Sequence, residues 1–127
     1  MLLSASTALV AVTATALLAR APHVVLTTAG HSPVVGKRWS YTLRVSEGGR
    51  PVSATLTAEI VDPIGGVHPL PFGGTAAKDI TNWRFTGTFA NFVTWPAESR
   101  GIPLTLRLIV TVAGARTVEN YDVTPGG

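Results

Sequence analysis

The side chains best suited to chemistry in this chain are its three histidines, His23, His31 and His68. Imidazole is a common protein ligand for copper and zinc near neutral pH. Proteolytic processing after Gly30 would make His31 the N-terminal residue. Its free N-terminal amine and its ring could then bind Cu(II) together with His68. His31 and His68 are therefore the candidate metal ligands. The simpler interpretation, which we adopt, is that these scattered histidines are solvated loop residues and that the protein holds no metal or other cofactor.

Nucleophilic catalysis has no recognisable motif in this sequence. A serine hydrolase needs a serine, a histidine base and an acid in convergent positions, and no serine here stands in a G-x-S-x-G turn. Cysteine is absent, which excludes disulfides, thiol nucleophiles and thiolate metal sites. We therefore expect the protein not to be an enzyme, and we predict no catalytic residue.

The charge of the chain is low and dispersed. Charged residues make up 13% of the sequence, the net charge is +3, and Lys37-Arg38 is the only adjacent basic pair. Without a basic tract the sequence gives no sign of nucleic-acid binding. A small net positive charge of this kind typically serves only to keep a protein soluble. The alternative is weak attraction to an anionic cell-wall or membrane surface through outward-facing arginines, namely Arg38, Arg44, Arg84 and Arg107.

Apolar and polar residues alternate through most of the chain, which is typical of strands with one buried face. The runs Trp39 to Val45 and Val52 to Ile60 both alternate, and the glycine pair at 48–49 between them favours a tight reversal, so we predict a hairpin. We predict a break near Asn91 and a bulge near Asn120. Further strands are predicted at 23–28, 83–89, 92–95, 104–112 and 116–123.

This pattern predicts an all-β fold. About seven short strands, regularly spaced turn signals and no convincing helix after residue 22 are typical of a two-sheet sandwich. We predict an antiparallel immunoglobulin-like β-sandwich that forms one domain over residues 23–127, with a small barrel as the alternative.

Residues 1–22 form a separate hydrophobic segment. Leu2 to Ala19 carries no charge, and Ala19-Arg20-Ala21 has the small residues that a signal peptidase accepts. No basic residue precedes this run, although signal peptides usually begin with one. The run also contains serines and threonines, so it is less hydrophobic than a typical membrane span of about 20 apolar residues. We predict a cleaved signal peptide or a retained membrane anchor, and a helix of the folded domain is the third alternative. Either of the first two makes the protein secreted or extracytoplasmic, in contact with a membrane only through this segment.

The stretch from Pro63 to Lys78 is the longest irregular segment. It contains three prolines and two Gly-Gly pairs, and long loops often carry function. Val67, His68, Leu70 and Phe72 form the candidate interaction loop. The alternative is that these side chains cap one end of the core.

The three tryptophans offer faces on which sugars could stack. Trp39 and Trp83 fall in phase with core positions, so burial accounts for them better. Trp95, beside Pro96, is the one that we expect to be exposed.

Three segments, Pro33 to Lys37, Tyr41 to Val45 and Gly49 to Ala54, resemble bacterial extracytoplasmic immunoglobulin-like domains of the YtkA/FixH-like kind. Those domains have a P-x-x-G strand followed by a G-x-P-V-x-x-A strand, and the resemblance covers about residues 23–124. It implies the fold and the compartment and supplies no catalytic residue. We therefore expect an exported, non-catalytic binding or structural module of the cell envelope with an unidentified protein or envelope partner. The alternative is an extracytoplasmic protein that binds copper or another metal through histidines.

Overall fold

The computed structural model describes residues 21–70 and 79–127. The predicted signal or anchor, up to residue 20, and the candidate interaction residue Phe72 lie outside these ranges. The described residues form nine strands and one short 3-10 helix, Ala97–Ser99. The strands are β1 His23–Thr28, β2 Arg38–Glu47, β3 Arg50–Pro51, β4 Ser53–Val61, β5 Val67–Pro69, β6 Trp83–Thr86, β7 Thr88–Thr94, β8 Leu104–Val112 and β9 Ala115–Val123.

The strands form two antiparallel sheets. In the first sheet β2 lies between β1 and β7, and β3 pairs with the last residues of β2. In the second sheet the order is β5-β4-β8-β9, and β6 pairs with the first half of β4. This is the strand order of an immunoglobulin-like sandwich, with β1, β2 and β7 in the places of strands A, B and E and β4, β8 and β9 in those of C, F and G. The predicted fold class is confirmed.

The core lies between the sheets and is built by alternation. Strand side chains point to opposite faces in turn, so each long strand contributes every second residue to the interior. The buried set comprises Trp39, Tyr41, Leu43 and Val45 of β2, Ala54, Leu56, Ala58 and Ile60 of β4, and Leu104, Leu106, Leu108, Val110 and Val112 of β8, together with Leu70, Ile80, Val93, Trp95 and Val123.

The predicted hairpin of β2 and β4 is wrong beyond its turn. Only the pairs Ser46 with Pro51 and Glu47 with Arg50 form, after which the chain crosses to the other sheet. One further backbone bond follows these pairs, from Val52 N–H to Val45 O at 3.4 Å. The Gly87 backbone then separates the two chains, because its C=O accepts from the Val45 N–H at 2.7 Å and its N–H donates to Val52 O at 3.0 Å. The apolar faces of β2 and β4 therefore meet across the core, and the long hairpin of this fold is β8–β9, which pairs over its whole length.

Two smaller predictions are also corrected. The strand predicted over 83–89 is interrupted at Gly87, where the chain passes from the second sheet to the first, while β7 runs through Asn91 without a break. No bulge occurs in β9, because its register with β8 is continuous from Ala115 to Val123. Val118 instead faces solvent and is 42% exposed.

The sandwich has two ends with different contents. One end, which we call the distal end, carries the loop 29–37, the turn 62–66, the connection 95–103 and the tail 124–127. Backbone bonds join these segments, such as Gly36 N–H to Trp95 O at 2.9 Å and Thr124 N–H to His31 O at 2.9 Å. The other end, the N-terminal end, carries the turns at 48–49 and 113–114 and the start of β1. Candidate sites lie at both ends.

Candidate functional site

A tight turn joins β4 to β5 at the distal end and holds itself together. Asp62 Oδ1 accepts hydrogen bonds from the backbone N–H groups of Ile64, at 3.0 Å, and Gly66, at 2.8 Å. The Gly65 N–H donates to Asp62 O at 3.0 Å, and the Asp62 N–H donates to Gly66 O at 2.9 Å. Gly65 has a φ of 86°, which glycine adopts without steric cost. An aspartate that satisfies the amides of its own turn stiffens that turn.

This turn presents an isoleucine to solvent. Ile64 is 94% exposed, more than any other large apolar side chain in the described parts of the chain. Pro63 beside it is also exposed, and Val67 at the start of β5 is 49% exposed. The distal end therefore offers a projecting apolar group on a well-defined backbone.

His68 secures the same aspartate from the neighbouring strand. Its Nε2 lies 2.8 Å from Asp62 Oδ2. This hydrogen bond, with those from Gly66 and Ile64, holds the pKa of the Asp62 carboxyl below its ordinary value, against a smaller opposing effect of desolvation. Asp62 is thus ionised at neutral pH, and it orders both the turn and the His68 ring.

His31 lies at the same end but has different partners. Its ring stacks on Tyr121, with centroids 4.2 Å apart and planes 4° apart, and its Nδ1 lies 2.5 Å from the carbonyl oxygen of Asp122. Together with the Thr124 to His31 backbone bond, these contacts cover the last part of the β9 edge. The ring therefore serves to fasten the loop 29–37 to β9.

A cleft of about 410 Å³ lies between these groups and is lined by His31, Asp62, Thr105 and Asp122 among others. The Thr105 hydroxyl donates to Asp122 Oδ1 at 3.0 Å. Of the two candidate metal ligands, His31 lines this cleft together with Asp62, and His68 is hydrogen-bonded to Asp62. Over residues 21–70 and 79–127, no three His, Asp or Glu side chains are grouped to hold a metal ion.

The candidate interaction loop is only partly exposed. Val67 and His68 lie on β5, at the edge of the second sheet, and are exposed. Leu70 is buried in the core, so its place in the candidate interaction loop is wrong. Its burial agrees with the alternative that these side chains cap one end of the core. The residue missed by sequence analysis is Ile64. A large apolar residue between Pro63 and Gly65, in a turn that has no room to bury it, was the signal that could have identified it.

The tryptophans provide no sugar platform of the kind considered. Trp95, predicted to be exposed, is fully buried and packs edge-on against Trp39 with ring centroids 5.7 Å apart. Trp83, predicted to be buried, is partly exposed and meets Phe89. The strand β7 ends at Thr94, but its alternation continues for one more residue, which turns Trp95 inward.

A second concavity, of about 560 Å³, lies on the second sheet near the N-terminal end. Its lining includes one arginine, Arg84, and four hydroxyl-bearing residues, Ser53, Thr55, Thr86 and Thr111. The Ser53 and Thr86 hydroxyl oxygens are 3.4 Å apart. We call it the Arg84 groove.

Comparison with known proteins adds little to this description. No family model matches the chain, and no curated protein matches it. A solved structure, a DUF4466 family protein from Parabacteroides merdae ATCC 43184, aligns with a TM-score of 0.44 and 14% identity over 81% of this chain. The alignment spans 43% of that protein, and at this TM-score it carries no argument about function. Membership of the YtkA/FixH-like family stays a prediction. In the described ranges no helix is long and apolar enough to cross a membrane.

Proposed function

We propose that this protein is a non-catalytic binding module of the cell envelope and that it recognises a protein partner through the Asp62–Gly66 turn. The observation that carries the proposal is the exposure of Ile64, which is 94% accessible on a turn fixed by four hydrogen bonds. Full burial of an isoleucine side chain contributes about 1.5–3 kcal/mol. Ile64 alone is therefore expected to contribute roughly 10- to 150-fold in affinity.

The rigidity of the turn favours this use. A binding residue that is already held in one backbone conformation loses less conformational entropy when its partner arrives. Residues that dominate an interface commonly sit at its centre, with polar groups around them that exclude water. Asp62 and His68 lie beside Ile64 and provide such polar groups.

The engagement of the histidines supports a role without catalysis. His31 is stacked on Tyr121 and bonded to a backbone carbonyl, and His68 is paired with a carboxylate. Neither ring meets a serine or threonine hydroxyl among the hydrogen bonds of the described residues. Copper binding through these rings has no specific observation in its favour among the described residues.

The test compares two aspartate substitutions in the full chain. Ile64→Asp places a charge at the tip of the turn, and Val118→Asp places the same charge at an exposed valine on β9. Both sites are exposed, so both variants should melt within a few degrees of the wild type, a shift that corresponds to about 0.5 kcal/mol. Each protein is immobilised and incubated with solubilised cell-envelope proteins, and bound proteins are quantified by mass spectrometry. The affinity of the leading partner is then measured.

We expect at least one envelope protein to be retained by the wild type and by Val118→Asp, and to bind Ile64→Asp at least tenfold more weakly. Equal retention by Ile64→Asp would contradict a role for the turn. If no envelope protein is retained by the wild type, the proposed function is wrong.

A further inference from the structure

The charges of the described residues are distributed unevenly between the two ends. The N-terminal end carries four arginines and one glutamate, Glu47, which gives +3. The rest of the described chain carries four basic and six acidic side chains, which gives −2. The four arginines of the N-terminal end are Arg44, Arg50, Arg84 and Arg116.

Among the described residues, these four arginines have no acidic partner. All four side chains are exposed, and each lies within three residues of a strand end. The ion pairs within residues 21–70 and 79–127 are Arg107 with Glu59 and His68 with Asp62, and neither includes one of these four arginines. The N-terminal end is therefore a positive surface open to an external anion.

Part of this positive surface forms a concavity, the Arg84 groove. Arg84, Thr55 and Thr111 lie in one row across the second sheet, and Arg116 extends the row on β9. The Arg84 groove includes this row of threonines and contains no acidic side chain in its lining. Guanidinium and hydroxyl groups are the donors that bind phosphate oxygens.

The hydrophobic N-terminal segment joins the fold at the same end. Ala21 and Pro22 alone separate residue 20 from β1, which begins at His23. The preceding run, Leu2 to Ala19, is uncharged, and Arg20 adds a further positive charge at the junction. An apolar segment that joins the fold at the end where four exposed arginines lie matches a bilayer with negatively charged headgroups.

We propose that the N-terminal end docks on a bilayer of anionic phospholipids and that the Arg84 groove receives headgroup phosphates. This docking would orient the sandwich upright. The nine residues of β4 run from the N-terminal end to the distal turn, a distance of about 30 Å at roughly 3.3 Å per residue. The Asp62–Gly66 turn would thus point away from the membrane. The proposal does not depend on the turn having a protein partner.

The test uses the full chain and sedimentation with vesicles of neutral phosphatidylcholine, alone or with about 30% phosphatidylglycerol. One variant combines Arg44→Gln, Arg84→Gln and Arg116→Gln. The control removes the same number of charges elsewhere by combining three other substitutions, Lys37→Gln, Arg38→Gln and Arg100→Gln. The hydrophobic segment is the same in all three proteins, so its contribution cancels.

We expect the wild type to bind the anionic vesicles far more strongly than the neutral ones and to lose that preference in about 0.5 M salt. Removal of the three arginines should weaken binding on the order of 100-fold, since each basic residue near the surface contributes about fivefold. The control should lose less than about fivefold. Thermal melting of both variants shows whether they are folded.

Three results would overturn the proposal. Equal losses in the two variants would mean that net charge alone is responsible, and equal binding to both vesicle types would mean that the hydrophobic segment acts alone. Binding of the wild type to an acidic polysaccharide but to neither kind of vesicle would assign the arginines to a cell-wall polymer instead.

Discussion

Tyr41 lies at the centre of β2, fully buried, and should remain protonated for as long as the protein is folded. Burial raises the pKa of its hydroxyl well above the ordinary value of 10.0, and the neighbouring Asn91 side chain offsets part of the rise. The unfolded chain therefore releases this proton at a lower pH than the folded protein does. The stability that follows from this difference is fully present below pH 10 and is lost as the pH rises above it.

The size of the effect follows from one proton. At pH 11, one unit above the ordinary pKa of a tyrosine, the free energy of unfolding should be about 1.4 kcal/mol lower than at pH 8 because of Tyr41 alone. Tyr41→Phe lacks this proton, so it should lose about 1.4 kcal/mol less over the same interval.

Urea unfolding followed by tryptophan fluorescence at pH 8 and pH 11 measures this difference. Tyr121, the other tyrosine, is present in both proteins, so its titration cancels. If wild type and Tyr41→Phe lost the same free energy of unfolding between the two pH values, Tyr41 would ionise as it does in an unfolded chain, and its placement in the core would be wrong.

Three further outcomes are expected. Leu43→Ala should lower the free energy of unfolding by about 2–5 kcal/mol and Ser40→Ala, on the outer face of the same strand, by less than about 0.5 kcal/mol, both measured by urea titration. Gly87→Ala should destabilise more than Gly101→Ala in thermal melts: their φ angles are similar, +75° and +77°, but only at Gly87 would the new Cβ come within 2.8 Å of the β3 proline. The order that Asp62 gives its turn should be complete above pH 3.8 and lost as the pH falls through the lower pKa of the folded state, which NMR shifts of the turn amides would report.

Sequence analysis succeeded where a strand is long and its alternation is uninterrupted. The bounds predicted for β1 and β8, His23–Thr28 and Leu104–Val112, are those observed. In β8 every second residue is a large apolar one, which leaves a single way to bury that face. Alternation therefore identified the inward residues of β2, β4 and β8 correctly.

Alternation does not reveal which strand lies next to which. A hairpin and a crossing between sheets bury the same side chains, so the Gly48-Gly49 turn predicts a long hairpin that the structure does not contain. The crossing lies at Gly87, whose φ of +75° redirects its chain between the sheets and whose backbone bonds to Val45 and Val52 separate β2 from β4. The predicted bulge had a different cause: it assumed that Val118 must be buried, although single apolar residues are common on protein surfaces.

The candidate site was only partly predictable for a related reason. The segment around the turn was identified by its glycines and prolines, and His68 within it was named, but its partner Asp62 was not. Exposure of Ile64 depends on how far the turn projects from the second sheet, which local sequence does not encode. The uneven charge of the two ends depends on strand order, because Arg44 and Arg116 are distant in sequence and lie in different sheets.

The separation of β2 and β4 into opposite sheets is the feature from which the two ends and their surfaces follow. Cross-strand nuclear Overhauser effects test it most directly. Thr42 pairs with Ala90 of β7 in this fold, whereas a hairpin continued from the Ser46 and Pro51 pair would place Thr42 opposite Thr55. We predict strong backbone contacts between Thr42 and Ala90. Contacts between Thr42 and Thr55 in their place would contradict the sandwich described above.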